Sequence, residues 1–176
     1  MLQRKINAIL SLISTFLLMD HAIFHAAWML SRGSIEKSAS FMPRALAGLM
    51  LIHAFISIDM GISAHANAEK RPCKQYPQMN VSTNIQRVSG ILLIIFTVLH
   101  ILGTIGILQP PKFIHAILPP LFFAIALMHA AISTSKAFIT LGIGNARLVK
   151  VVDVAMKVIC AATLIADVIG FYLYLV

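Results

Sequence analysis

The chain has 176 residues, 59% of them hydrophobic and only 11% charged, with a mean hydropathy of +0.89. So few charges cannot cover the surface of a soluble domain of this size, and the composition is that of a membrane protein. A net charge of +8 raises nucleic acid as a partner, but the basic residues cluster around loops, which makes the charge topological and excludes that class.

A hydrocarbon core of ~30 Å takes about 20 apolar residues per helix. Five stretches reach that length, near 6–30, 44–66, 87–108, 112–140 and 152–175. They predict an all-α membrane protein, one domain over 1–176, with five transmembrane helices in an up-and-down bundle. The first stretch reads as a retained helix, because it carries Asp20, His21 and His25 and no small-residue cleavage site follows. Trp28, two turns past His21, reads as an aromatic-belt residue.

Between helices 2 and 3 runs the most polar connection, "NAEKRPCKQYPQMNVSTNIQ", and between helices 4 and 5 the shorter "LGIGNARLVK". A soluble partner would dock on these two segments. Pro119-Pro120 imply either that helix 4 begins near Pro120 or that it bends there. Ten basic residues (Arg4, Lys5, Lys70, Arg71, Lys74, Arg87, Lys136, Arg147, Lys150 and Lys157) fall on one side of such a bundle, and four (Arg32, Lys37, Arg44 and Lys112) on the other. The positive-inside rule then puts the N-terminus in the cytoplasm and the C-terminus outside. Cys73 and Cys160 make no disulfide or zinc framework, and the lack of C-x-x-C-H excludes covalent c-type haem.

Ionisable groups inside membrane helices are costly, which directs attention to seven histidines. His21, His53, His100 and His129 fall deep inside helices 1 to 4, one on each, whereas His25, His65 and His115 fall nearer the ends. At 1.5 Å per residue, His21 lies ~24 Å from Lys5 and His100 ~20 Å from Arg87. From the opposite side, His53 lies ~14 Å from Arg44 and His129 ~14 Å from Pro120. Four imidazoles at two depths suit two bis-histidine haems stacked across the membrane. A zinc site would want its ligands at one level, and a proton relay would want more carboxylates in line.

Haem propionates need donors or cations. Lys136 shares a face of helix 4 with His129, Ser133 and Thr140, and reads as a propionate partner or as a snorkelling lysine. Ser89 lies three turns below His100 on one stripe of helix 3. Gly90, Gly103 and Gly106 would admit a flat macrocycle or a neighbouring helix.

The segment "QRVSGILLIIFTVLH" closely resembles the third-helix motif of the dihaem cytochrome b membrane anchors of succinate:menaquinone and fumarate:quinone oxidoreductases, the succinate dehydrogenase cytochrome b558 type. "FLLMDHAIFHAA", "LIHAFISIDMG" and "LMHAAISTSKAFITLGI" resemble its first, second and fourth helices. The resemblance implies that His21 and His100 hold a distal haem b and His53 and His129 a proximal one. Propionate contacts are expected among Lys136, Ser89, Arg87 and Trp28. Ser133 departs from the family, where a glycine often stands, and leaves less room beside the haem.

The function implied is that of an electron-transfer anchor, working between a cytoplasmic flavoprotein and iron–sulfur pair and the membrane quinone pool. FAD and iron–sulfur clusters would sit in the partner subunits only. The quinone would be menaquinone, with Asp20 and His25 as candidates for its site, and no residue here would touch the dicarboxylate. The expected location is the bacterial cytoplasmic (inner) membrane, singly or as a dimer of complexes. Rival readings are a dihaem cytochrome b serving a hydrogenase or formate dehydrogenase, and a histidine-relay proton channel or transporter.

Overall fold

The structure, a computed structural model, describes residues 2–31, 41–69, 81–108 and 111–175. Its elements are α1 (Leu2–Leu30), α2 (Phe41–Glu69), α3 (Val81–Thr104), α4 (Lys112–Leu141) and α5 (Ala146–Leu175). All five are long and apolar enough to cross a membrane, so the chain is an integral, multi-pass membrane protein by length and composition.

Helix boundaries differ from the sequence expectation where polar residues continue a helix beyond its apolar part. α3 begins at Val81 rather than near 87, and α5 at Ala146 rather than near 152. Hydropathy registers the hydrocarbon-spanning portion, whereas the helix runs on past it, through good helix formers at Ala146, Arg147 and Leu148 and through residues 81–86, most of them weaker helix formers. At its other end α3 stops short of 108, since Gly106 adopts a left-handed φ of 78°. α4 starts at Lys112 and continues through both prolines, each of which removes one intrahelical hydrogen bond.

The α4–α5 connection is a tight turn. Gly142 has φ 71°, and the amides of Gly142 and Ile143 reach the carbonyls of Ile139 and Phe138, both at 3.1 Å. This is a Schellman closure, for which glycine is suited because it lacks the Cβ that penalises positive φ. Asn145 then caps α5, its Oδ1 accepting the Leu148 amide at 2.9 Å.

Side-chain pairs fix the helix directions. Gln3 meets Asp59 and Asn7 meets Ser57, so α1 and α2 are antiparallel. Ser89 meets His129 while Gln86 meets Ser133, so α3 and α4 are antiparallel. His25 meets Asp167 and Met19 meets Cys160, so α1 and α5 run together. The bundle is therefore up-and-down, with Arg4, Lys5, Arg87, Lys136, Arg147 and Lys150 gathered toward one end.

α1, α4 and α5 pack closely against one another. Small residues permit this: Ala8, Ser11, Thr15, Ala22 and Ala26 line the inner stripe of α1, and Ala126, Ala130, Ala131 and Ala137 that of α4. α2 leans on α1, α3 leans on α4, and α2 and α3 barely touch. Of the spanning windows, 44% of α4 is buried against 6% of α2, so α4 is the axis of the bundle and α2 its edge. Outward positions carry bare apolar side chains such as Phe16, Phe55 and Ile165, the surface that hydrocarbon solvates. Inside, Leu18, Leu46, Leu93, Ile125 and Ala126 form an apolar layer, with Phe96 and Phe122 against it. That layer separates two groups of histidines.

Candidate functional site

Because α2 and α3 do not close on each other, a cavity of ≈ 570 Å³ opens between them with α1 and α4 as its floor. Its size falls in the range of about 300–1,000 Å³ seen for small-molecule and cofactor sites. His53 from α2 and His129 from α4 both line it, among apolar walls that include Leu18, Met50, Leu93 and Ala126. Among the described residues no acidic side chain lines it, and Arg87 stands at its edge.

The orientation of His129 is determined by α3. Ser89 Oγ lies 2.9 Å from His129 Nδ1 and donates its own hydrogen to the Gln86 carbonyl at 3.1 Å. The contact ties Nδ1 down and holds the ring, and which nitrogen carries the proton follows the tautomer. A neutral imidazole with one nitrogen tied down and the other bare is the form that ligates a metal. Gly90 makes room for the ring, since a Cβ there would stand 3.2 Å from His129 Cε1.

Below the ring, toward the basic end, a polar zipper joins α3 to α4. Gln86 Nε2 donates to Ser133 Oγ at 3.0 Å, and Lys136 Nζ donates to Gln86 Oε1 at 2.8 Å and to Thr83 Oγ1 at 3.2 Å. Ser133, expected to leave less room beside a haem, anchors Gln86 and does not line the cavity. Ser89 does not line it either; it is 1% exposed and orients His129. Lys136 is engaged by Gln86 and Thr83, and Arg87 alone of the four expected propionate contacts faces the cavity.

Sequence reading missed one wall. Asn7, Ser11, Ser14 and Thr15 of α1 line the cavity, as does Thr97 of α3. Four buried polar atoms on its lining have no hydrogen-bond partner among the described residues: Asn7 Oδ1, Ser14 Oγ, His53 Nδ1 and Thr97 Oγ1. The signal was present, because residues 3, 7, 11 and 14 recur at helical spacing and form a polar stripe on an otherwise apolar helix.

The other histidines gather across the apolar layer. His25 Nδ1 lies 2.9 Å from Asp167 Oδ1, and Asp167 is 1% exposed. Nothing in the sequence marks that partnership. The His25 ring stacks on Phe123 with centroids 5.1 Å apart and stands 6.3 Å from the His21 ring. His100 packs on Phe122 at 5.4 Å, and Phe122 lies 6.1 Å from Phe123. His21 and His100 are thus joined by rings from α4 and α1. Asp20 is exposed on the outer face of α1. Ser31 Oγ donates to the Trp28 carbonyl at 2.9 Å, which ties Trp28 into the last turn of α1.

Asp59 accepts from Gln3 at 2.7 Å and does not line the cavity, and Asp153 pairs with Lys157 on α5. The side chains of His65 and His115, and all of Cys73, lie outside the described residues. Among those described, His, Cys, Asp and Glu form no group of three or more that could hold a metal ion; the imidazoles on the cavity come as a pair. No known protein family, curated protein or solved structure matches this chain.

Proposed function

We propose that the chain is a dihaem cytochrome b membrane anchor of the succinate:quinone or fumarate:quinone oxidoreductase type. The observation that carries this reading is the cavity shared by His53 and His129, two imidazoles presented from separate helices across one space of ≈ 570 Å³. The residues fit a haem there on their own chemistry. Ser89 holds His129 by Nδ1, Gly90 admits the ring, and most of the lining is apolar. Arg87 supplies a cation at the rim. His53 and His129 would hold the haem iron, and Ser89 would orient the His129 ring. An iron porphyrin in this position supplies one-electron exchange between ferric and ferrous states.

At the other level, His21 and His100 would hold the second haem. That assignment rests on the resemblance and on their common connection to the Phe122–Phe123 cluster. His25 and Asp20 remain the candidates for quinone protons, and menaquinone the candidate substrate. The basic end would face the cytoplasm and take the flavoprotein and iron–sulfur partners, which bring FAD and the clusters. Residues 70–80 of the expected docking connection lie outside the described chain, while the 141–150 segment is the capped turn at that end. The chain would act on no dicarboxylate itself.

A reduced-minus-oxidised spectrum of the purified chain tests this directly, with a b-type α band and about two haems per chain in the pyridine haemochrome assay as the outcome. Colourless protein would remove the proposal. Co-purification of a flavin-bearing and an iron–sulfur polypeptide would identify the complex.

A further inference from the structure

Of the four buried atoms on the cavity that have no hydrogen-bond partner among the described residues, three belong to ordinary amide or hydroxyl groups, on Asn7, Ser14 and Thr97. An axial ligand does not need them, and hydrocarbon cannot satisfy them. Ser14 is 8% exposed and Thr97 7%, so bulk solvent does not reach them either. Buried polar atoms of this kind are partnered by ordered water where there is room. A water takes about 30 Å³ and two to four polar partners, and a cavity of ≈ 570 Å³ gives it room.

These groups also continue a line that starts outside. Gln3, Asn7, Ser11 and Ser14 climb one stripe of α1, an axial distance of ~16 Å. α2 answers from the opposite wall. Asp59 accepts from Gln3 at 2.7 Å in the exposed rung. Ser57 accepts from Asn7 Nδ2 at 3.0 Å in the next. Beyond them Ser11 and Ser14, both 8% exposed, face the cavity without closing a rung to α2. The exposed rung is paired, the Asn7 rung leaves Oδ1 over, and Ser14 Oγ deeper in has no partner among the described residues, which is the pattern of a seam completed by solvent.

We infer that the seam between α1 and α2 is a water-filled intake that carries protons from the Asp59 end of the bundle into the cavity. Each water accepts a proton from its neighbour and hands another on, so no bond to the protein is made or broken. The intake itself rests on the polar side chains around it and not on a haem. Its use, supplying protons that offset the charge of an electron arriving at a buried carrier, rests on the cytochrome reading.

The test uses the full chain in lipid vesicles, with Cys73→Ser and Cys160→Ala as background and one cysteine placed by Ser11→Cys, Ser14→Cys or Ile13→Cys. Ile13 is 44% exposed on the lipid face beside Ser14. The probe is a negatively charged, membrane-impermeant methanethiosulfonate, which needs a hydrated thiolate. The Ser11→Cys and Ser14→Cys chains should react at least about tenfold faster than the Ile13→Cys chain, and Ser57→Leu at the mouth should slow both. Rates no faster than that of the lipid-facing control, or unchanged by Ser57→Leu, overturn the intake. Thermal melting gives a second measure: Ser14→Ala lowers the midpoint if water bonds the hydroxyl and raises it if the site is dry. Haem content of the same vesicles separates the two ideas. Fast labelling of colourless protein keeps the intake and removes the cytochrome, and slow labelling of haem-loaded protein does the reverse.

Discussion

His129 and His25 each aim Nδ1 at an oxygen 2.9 Å away, but one oxygen is a serine hydroxyl and the other a buried carboxylate. His129 sits on an open cavity between the two helices that fail to meet. His25 sits in the tight α1–α4–α5 packing with Phe123 stacked on its face. The hydroxyl holds the ring by one nitrogen and brings no charge, which leaves the other nitrogen of His129 free of that bond. A carboxylate inside a membrane bundle must be met by a partner, and His25 does that for Asp167. The same side chain is thus left facing an open cavity in one region and meets a buried carboxylate in the other.

The largest way to break this contrast is to remove the rings. Under the proposed cytochrome reading, His53→Ala or His129→Ala takes the pyridine haemochrome count from about two per chain to about one, while His25→Ala leaves it unchanged. Equal losses for all three would erase the distinction. Asp167→Ala should lower unfolding stability in detergent by about 2–3 kcal/mol, because it strands His25 and empties a buried position, whereas Asp167→Asn keeps an acceptor and costs less. Thermal melts of the two variants side by side check this. Ser89→Ala should weaken haem binding at the His53–His129 level at least about tenfold, with the other level intact, as read by haem titration. Lys157→Ala sets the floor. Its i,i+4 pair with Asp153 is largely exposed, and its loss should cost only about 0.3–0.5 kcal/mol. A larger drop would mean that surface charge matters as much on α5 as the buried pair does.

Much of the scaffold was legible in the residues. Twenty or more apolar residues in a row must form a helix in a bilayer, since no other local structure satisfies the backbone there. Counting along those helices puts His53 and His129 at one depth, and the fold has both on one cavity. What could not be read is rotation about each helix axis. In a soluble bundle the apolar stripe points inward, but here both lipid and core are apolar, and the usual amphipathic cue is lost. Nothing in the sequence therefore pairs Asp167 with His25, or shows that Ser89 faces His129 rather than a propionate. The polar stripe of Asn7, Ser11 and Ser14 was a usable cue, but attention to titratable groups passed over hydroxyls and amides.

By itself, the order of residues determined five spanning helices, the end at which basic charge collects, and the imidazoles available at each depth. These follow from a single cost, that of placing unsatisfied polar atoms in hydrocarbon, which acts on each segment alone. The tertiary structure decided which faces meet. Small residues on α1 and α4 drew α5 in and left α2 and α3 apart. Close packing between helices depends on side-chain shape on both partners at once, and that is why the cavity, its oriented histidine and its polar wall emerged only from the assembled bundle.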